Sequence, residues 1–245
     1  MATMKKVAPK TTTEVATIPQ GLARFTAPIV DVPVTVGGGG PYVSIAEEKS
    51  GNIADLIRVG INAGDVYLNM DGNTVKLQPF EYHLLAAKKF YTKMDNSGKI
   101  VRQSVYEQEG LDEHLVCLML VKLGNDLIPT RSDFRKTKMG VVAKAVTASA
   151  QAASPDWATL SDTHRATMTC QFPFGRFIAT GSTRAQTVKN GPNAGMKYFA
   201  GRCAIRPSSA EELQRLVDCF ADPEFVENLE SATASFDARV AELSR

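Results

Sequence analysis

The 245-residue sequence predicts an α+β protein: an antiparallel β-core, a helix inserted into it, and a helical C-terminal region. Three observations carry this. Leu115 to Leu123 is a nearly unbroken run of Leu, Val, Cys and Met, the pattern of a strand buried on both faces. Turn-forming residues separate strand-forming runs at Asp71-Gly72-Asn73, at Asp95-Asn96-Ser97-Gly98 and at Asn190-Gly191-Pro192-Asn193-Ala194-Gly195. Apolar residues recur at 3–4 spacing over 139–153 and again beyond Pro207.

From the N-terminus, residues 1–20 are rich in Thr, Lys and Pro and short of large apolar side chains, which predicts a mobile arm. Residues 21–36 carry Phe25, Ile29 and alternate valines broken by Pro28 and Pro33, as suits a docked edge segment. Gly37-Gly38-Gly39-Gly40-Pro41 lacks the Gly-Lys-Ser/Thr ending of a phosphate loop and reads as a hinge or a close backbone contact. A helical turn over 53–59 closes at Gly60, and two hairpins follow, over 65–77 and 80–106. A polar, acidic link over 107–113 leads to the central strand. After it, Gly124-Asn125-Asp126 turns the chain into a short basic strand, and a helix opens near Met139. Two long strands surround the 190–195 turn. Ser208-Ser209 with Glu211 and Glu212 then opens a capped helix to about Phe220. Asp222-Pro223 caps another, with Phe225, Leu229, Ala232, Phe236, Val240 and Leu243 along one side. The expected organisation is a mobile arm (1–20), one β-rich domain (21–206) and an acidic helical region (207–245).

Composition narrows the function classes. A hydrophobic content of 44% is that of a folded globular chain. No apolar run reaches the roughly 20 residues a membrane helix needs, and the first residues lack the apolar stretch of a secretion signal, so a cytoplasmic location without membrane contact is expected. Cys117, Cys170, Cys203 and Cys219 form no CxxC pair and read as reduced core residues. His83, His114 and His164 lie far apart, without metal-ligand spacing. Asp112 and Glu113 beside His114 could do acid-base work but better suit a loop. With no nucleotide-binding or nucleophile motif either, neither cofactor nor catalysis is expected.

The net charge of +2 is unevenly placed. Residues 76–206 hold 19 Lys/Arg against 10 Asp/Glu, and residues 207–245 hold 3 against 9. From Thr163 through Ala210 there is no carboxylate, while Arg165, Arg176, Arg184, Lys189, Lys197, Arg202 and Arg206 supply seven cations. Phe172, Phe174, Phe177, Tyr198 and Phe199 are interleaved with them. Cations neutralise phosphates, and aromatic faces stack on unpaired bases without demanding a sequence. Phe174, Arg176, Phe177, Arg184, Lys189, Lys197, Tyr198 and Arg202 are therefore candidate nucleic-acid contacts, though each aromatic could equally be core. Arg131, Phe134, Arg135, Lys136 and Lys138 form a second candidate cluster at the start of the inserted helix; a solvated turn would look the same. Lys88, Lys89 and Lys93, with Lys99 and Arg102, form a third on a hairpin margin, where positive charge also protects sheet edges.

This order of β-hairpins, inserted helix, basic hairpin and acidic C-terminal region resembles, over roughly 62–206, the phage-type single-stranded-DNA-binding proteins built on a five-stranded OB-fold. The resemblance implies an OB-like antiparallel β-barrel core whose partner is single-stranded DNA, possibly RNA, in replication, recombination or repair. It also implies an acidic region that recruits replication partners or competes with DNA for the groove; a homo-oligomer is expected besides. Here residues 208–243 read as helical where that family has a disordered tail, so a packing or oligomerisation element is the other expectation for them. A structural or virion-assembly protein is the rival function.

Overall fold

The structure is a computed structural model that describes residues 40–48, 51–70, 73–95, 99–153, 170–171, 175–191 and 194–245. The expected arm and edge segment, most of the glycine run, Trp157, Phe172 and Phe174 lie outside the described residues. The elements in order are β1 (Tyr42–Ile45), α1 (Ile53–Arg58), β2 (Val66–Met70), β3 (Asn73–Lys76), β4 (Phe80–Met94), β5 (Ile100–Ser104), β6 (Asp112–Leu123) and β7 (Asp126–Arg135). A 3-10 segment (Lys136–Val141), α2 (Ala143–Ala153), β8 (Cys170–Gln171), β9 (Phe177–Thr187), β10 (Lys197–Pro207), α3 (Ala210–Phe220) and α4 (Pro223–Leu243) complete the chain.

The protein is α+β, with antiparallel pairing throughout two sheets. The larger runs β10-β9-β4-β6-β7, with β5 and β8 also on β4; the smaller is β1-β2-β3. Among the described residues neither closes on itself into a barrel. They meet where the Val43 N–H donates to Ser132 Oγ on β7 at 2.8 Å.

β6 is the centre. Leu115 through Val121 are all at most 4% exposed, because both faces are covered. Leu115, Cys117, Met119 and Val121 face the small sheet, Val141, Val142 and α2; Val116, Leu118 and Leu120 face α3 and α4. Strand β4 does the same with a phase change. Phe80, Tyr82 and Leu84 face the first layer, the pairing slips between Leu84 and Ala86, and from there Ala86 and Phe90 face the helices while Ala87 faces the first layer. The extra residue at the bulge flips the alternation.

The C-terminal helices form where expected. Ser209 accepts from the Glu212 N–H at 3.2 Å and the Ser209 N–H donates back to Glu212 at 2.8 Å, a reciprocal cap; Asp222 caps α4 ahead of Pro223. All six apolar residues expected on one side of α4 are buried, against Ala86, Phe90, Val116 and Leu118 or against Leu120, Leu127 and Leu216. Residues 207–245 thus share the sheet's core. The inserted helix starts later than expected, because Lys136–Val141 winds as 3-10 helix where Gly140 passes under β10. The acidic link also ends early, since Asp112 and Glu113 already belong to β6.

Candidate nucleic-acid interface

Strand β9 pairs with β4 only over Ala179–Gly181, so from Ser182 outward β9 and β10 project as a two-stranded ribbon. Directly opposed residues share a face. The pairs Gln186–Tyr198, Arg184–Ala200, Ser182–Arg202, Thr180–Ala204 and Ile178–Arg206 put Arg184, Tyr198, Arg202 and Arg206 on one face. Thr187–Lys197, Ala185–Phe199, Thr183–Gly201 and Gly181–Cys203 put Lys197 and Phe199 on the other.

That second face is docked. A Cβ on Gly201 would lie 2.5 Å from the Val141 nitrogen, and one on Gly140 would lie 2.0 Å from the Gly201 oxygen. The two backbones touch because neither residue has a side chain. Further out, the Phe199 ring rests on Gly64, whose Cβ would fall 2.3 Å from it, and the Thr183 hydroxyl donates to the Gly64 carbonyl at 2.5 Å. The first face is open: Ser182, Arg184, Gln186 and Arg202 are exposed, and Tyr198 is half-buried with its hydroxyl donating to Gln186 Oε1 at 2.7 Å.

The other candidates scatter. Arg206, at the base of the open face, is held in a fork by Glu212 of α3 at 2.6 and 2.7 Å, with Glu81 3.8 Å away. That guanidinium holds the Glu212 carboxyl down at about 2. Arg176 is exposed and sits over the half-buried Phe177 ring, 5.5 Å from its centroid; Lys189 is exposed just past β9. Arg176, Arg184, Lys189, Lys197 and Arg202 have no ion pair among the described residues.

Several members of the second and third clusters are buried or paired, while Lys93, Lys99 and Arg102 are exposed, with Lys93 directly opposite Arg102 on β5. Phe134 is 1% exposed in the core and has no face to offer a base. Lys136 pairs with Asp112 at 2.9 Å, Lys138 with Glu47 at 2.5 Å, and Arg131 lies 3.9 Å from Asp133; Arg135 is half-buried at the end of β7. Lys88 is buried at 8% exposure, because β4 is covered on both faces, and Lys89 pairs with Glu113. Lys93 is exposed, but eleven residues of β4 separate it from the Tyr82–Ala179 pair, about 36 Å of strand at roughly 3.3 Å per residue.

One network escapes sequence reading. His114 donates from Nε2 to Asp133 Oδ2 at 3.2 Å, with Nδ1 3.3 Å from the Thr92 hydroxyl; Arg239 of α4 donates to the same Asp133 oxygen at 2.9 Å. Burial raises the Asp133 carboxyl, but the His114 hydrogen bond and the Arg131 and Arg239 charges outweigh it and bring it to about 2. Asp133 thus ties sheet to helix, with His114 bracing it from the neighbouring strand. Among the described residues no group of His, Cys, Asp and Glu is placed to hold a metal ion, and no helix is long and apolar enough to cross a membrane. Cys117 and Cys203 are buried free thiols, and Cys219 is half-buried.

No family model matches the chain, and neither a curated protein nor a solved structure matches it.

Proposed function

We propose that the protein binds single-stranded nucleic acid, DNA ahead of RNA, through the open face of the β9–β10 ribbon, in replication, recombination or repair. The observation that supports this most directly is the uncompensated charge of that face. Arg184 and Arg202 have no carboxylate partner among the described residues, and Tyr198 stands beside them. An exposed structural face normally mixes signs, whereas phosphate binding favours one sign and stacking adds sequence-tolerant affinity. Arg176 and Lys189 extend the positive margin at either end. The OB-like reading of the core belongs to this proposal, with β1 beside β7 as the place where the two sheets would form a corner.

The test is fluorescence anisotropy of labelled oligo-dT against duplex of equal length at two salt concentrations. Preference for the single strand, with affinity falling steeply as salt rises, is expected; equal or absent binding refutes the proposal. A second reading, a structural or assembly protein forming homo-oligomers, draws on Leu213 and Val217, which are 44% and 50% exposed one turn apart on α3. Large assemblies on a sizing column without affinity for oligo-dT would favour it.

A further inference from the structure

We infer that the single strand lies lengthwise on one face of the ribbon, straddled by Arg184 from β9 and Arg202 from β10, with a base stacked on Tyr198 toward the tip. This rests on the reading above and says how the strand is held. Arg184 is opposite Ala200, and Arg202 is opposite Ser182, one step nearer the body. The two guanidinium groups therefore rise from opposite strands on a diagonal of roughly 7–8 Å between backbone positions, a span that long side chains adapt to successive phosphates. Between them the floor is Ala200 and Ser182, too small to obstruct a sugar-phosphate chain.

Both ends of the lane are defined. At the tip, the Gln186 amide holds the Tyr198 hydroxyl, which fixes where the ring lies. At the base, the next cation in the β10 row, Arg206, is taken by Glu212 with Glu81 beside it, and these carboxylates repel a phosphate. From Tyr198 to Arg202 is four residues, about 13 Å of strand, room for two or three nucleotides. The opposite face cannot share the work near the body, because Gly201 and Phe199 are seated on Gly140 and Gly64. Lys197 belongs to that face and plays no part.

The experiment measures Kd for fluorescein-labelled oligo-dT across a salt series with the full chain and with Arg184→Ala, Arg202→Ala, Tyr198→Ala and Lys197→Ala. Each arginine variant is expected to lower the salt slope by about 0.7, the share of one phosphate contact on a single strand. Tyr198→Ala is expected to weaken binding about five- to 150-fold at an unchanged slope. Lys197→Ala leaves the slope as it is. A Lys197→Ala slope reduced as much as that of Arg202→Ala means the strand wraps both faces, and unchanged slopes in both arginine variants place it elsewhere. Either result overturns the one-face inference while nucleic-acid binding stands. A wild-type chain that fails to bind oligo-dT removes both.

Discussion

Gly201→Ala should loosen the ribbon from the body. The added methyl would meet the Val141 nitrogen at 2.5 Å, the Gly140 carbonyl carbon at 2.9 Å and the Lys138 oxygen at 2.9 Å, whereas ordinary contact begins near 3.4 Å. All three are backbone atoms, so no side chain can swing aside. Either β10 or the 3-10 segment must move by roughly 1 Å, and a forced overpacking of this kind costs about 2–3 kcal/mol. At ~2–4 °C per kcal/mol for a chain of this size, Tm should fall by roughly 4–12 °C. Equilibrium urea unfolding measures the same loss, with Gly51→Ala as control: nothing lies within 4 Å of its Cβ, and its stability should stay within about 0.5 kcal/mol of wild type. A Gly201→Ala midpoint equal to that of Gly51→Ala would refute the close approach of the two backbones, and with it the reason the inner face of the ribbon is closed to ligand.

Three further outcomes are expected. Asp133 titrates at about 2 in the folded chain against an ordinary 3.8, so its contribution, on the order of 2 kcal/mol, is present above pH ~4 and lost as pH falls toward 2; urea midpoints of wild type and Asp133→Asn should differ at neutral pH and converge in acid, and a constant difference would refute this. Phe236→Ala, which empties a site 3% exposed between α4 and the sheet, should cost about 3–5 kcal/mol by urea unfolding; a loss under 1 kcal/mol would mean that α4 does not share the sheet's core. In a Cys170→Ser background a thiol reagent should modify half-buried Cys219 under native conditions and reach Cys117 and Cys203 only on unfolding; mass spectrometry of the labelled chain decides.

Much of the architecture was legible because local chemistry dictates it. The run from Leu115 to Leu123 has no polar side, so only a strand covered on both faces could use it. Ser209 and Asp222 carry their capping chemistry within three residues, and the six apolar positions of α4 repeat at a helical period whatever they pack against. The strand register around the 190–195 turn was not available: alternation alone puts Tyr198 and Arg202 on one face and Lys197 on the other, but only the pairing of 198 with 186 adds Arg184 to the face of Tyr198.

What no local pattern contains is which charges find partners across the fold. Lys136 and Asp112 are 24 residues apart, Lys138 and Glu47 are 91, and Arg239 and Asp133 are 106. Each pair exists only because sheets and helices converge there. The bulge at Leu85 is the same kind of event: one extra residue moves Ala86 and Phe90 onto the helix side and Ala87 onto the other, and alternation counted along the strand cannot foresee it. A run of cations states a potential for binding anions. Tertiary packing turned part of that potential toward Asp112, Glu47, Glu113 and Glu212, while Arg184 and Arg202 keep theirs on the open side of the ribbon, whose other side is held down by two glycines that admit no side chain between them.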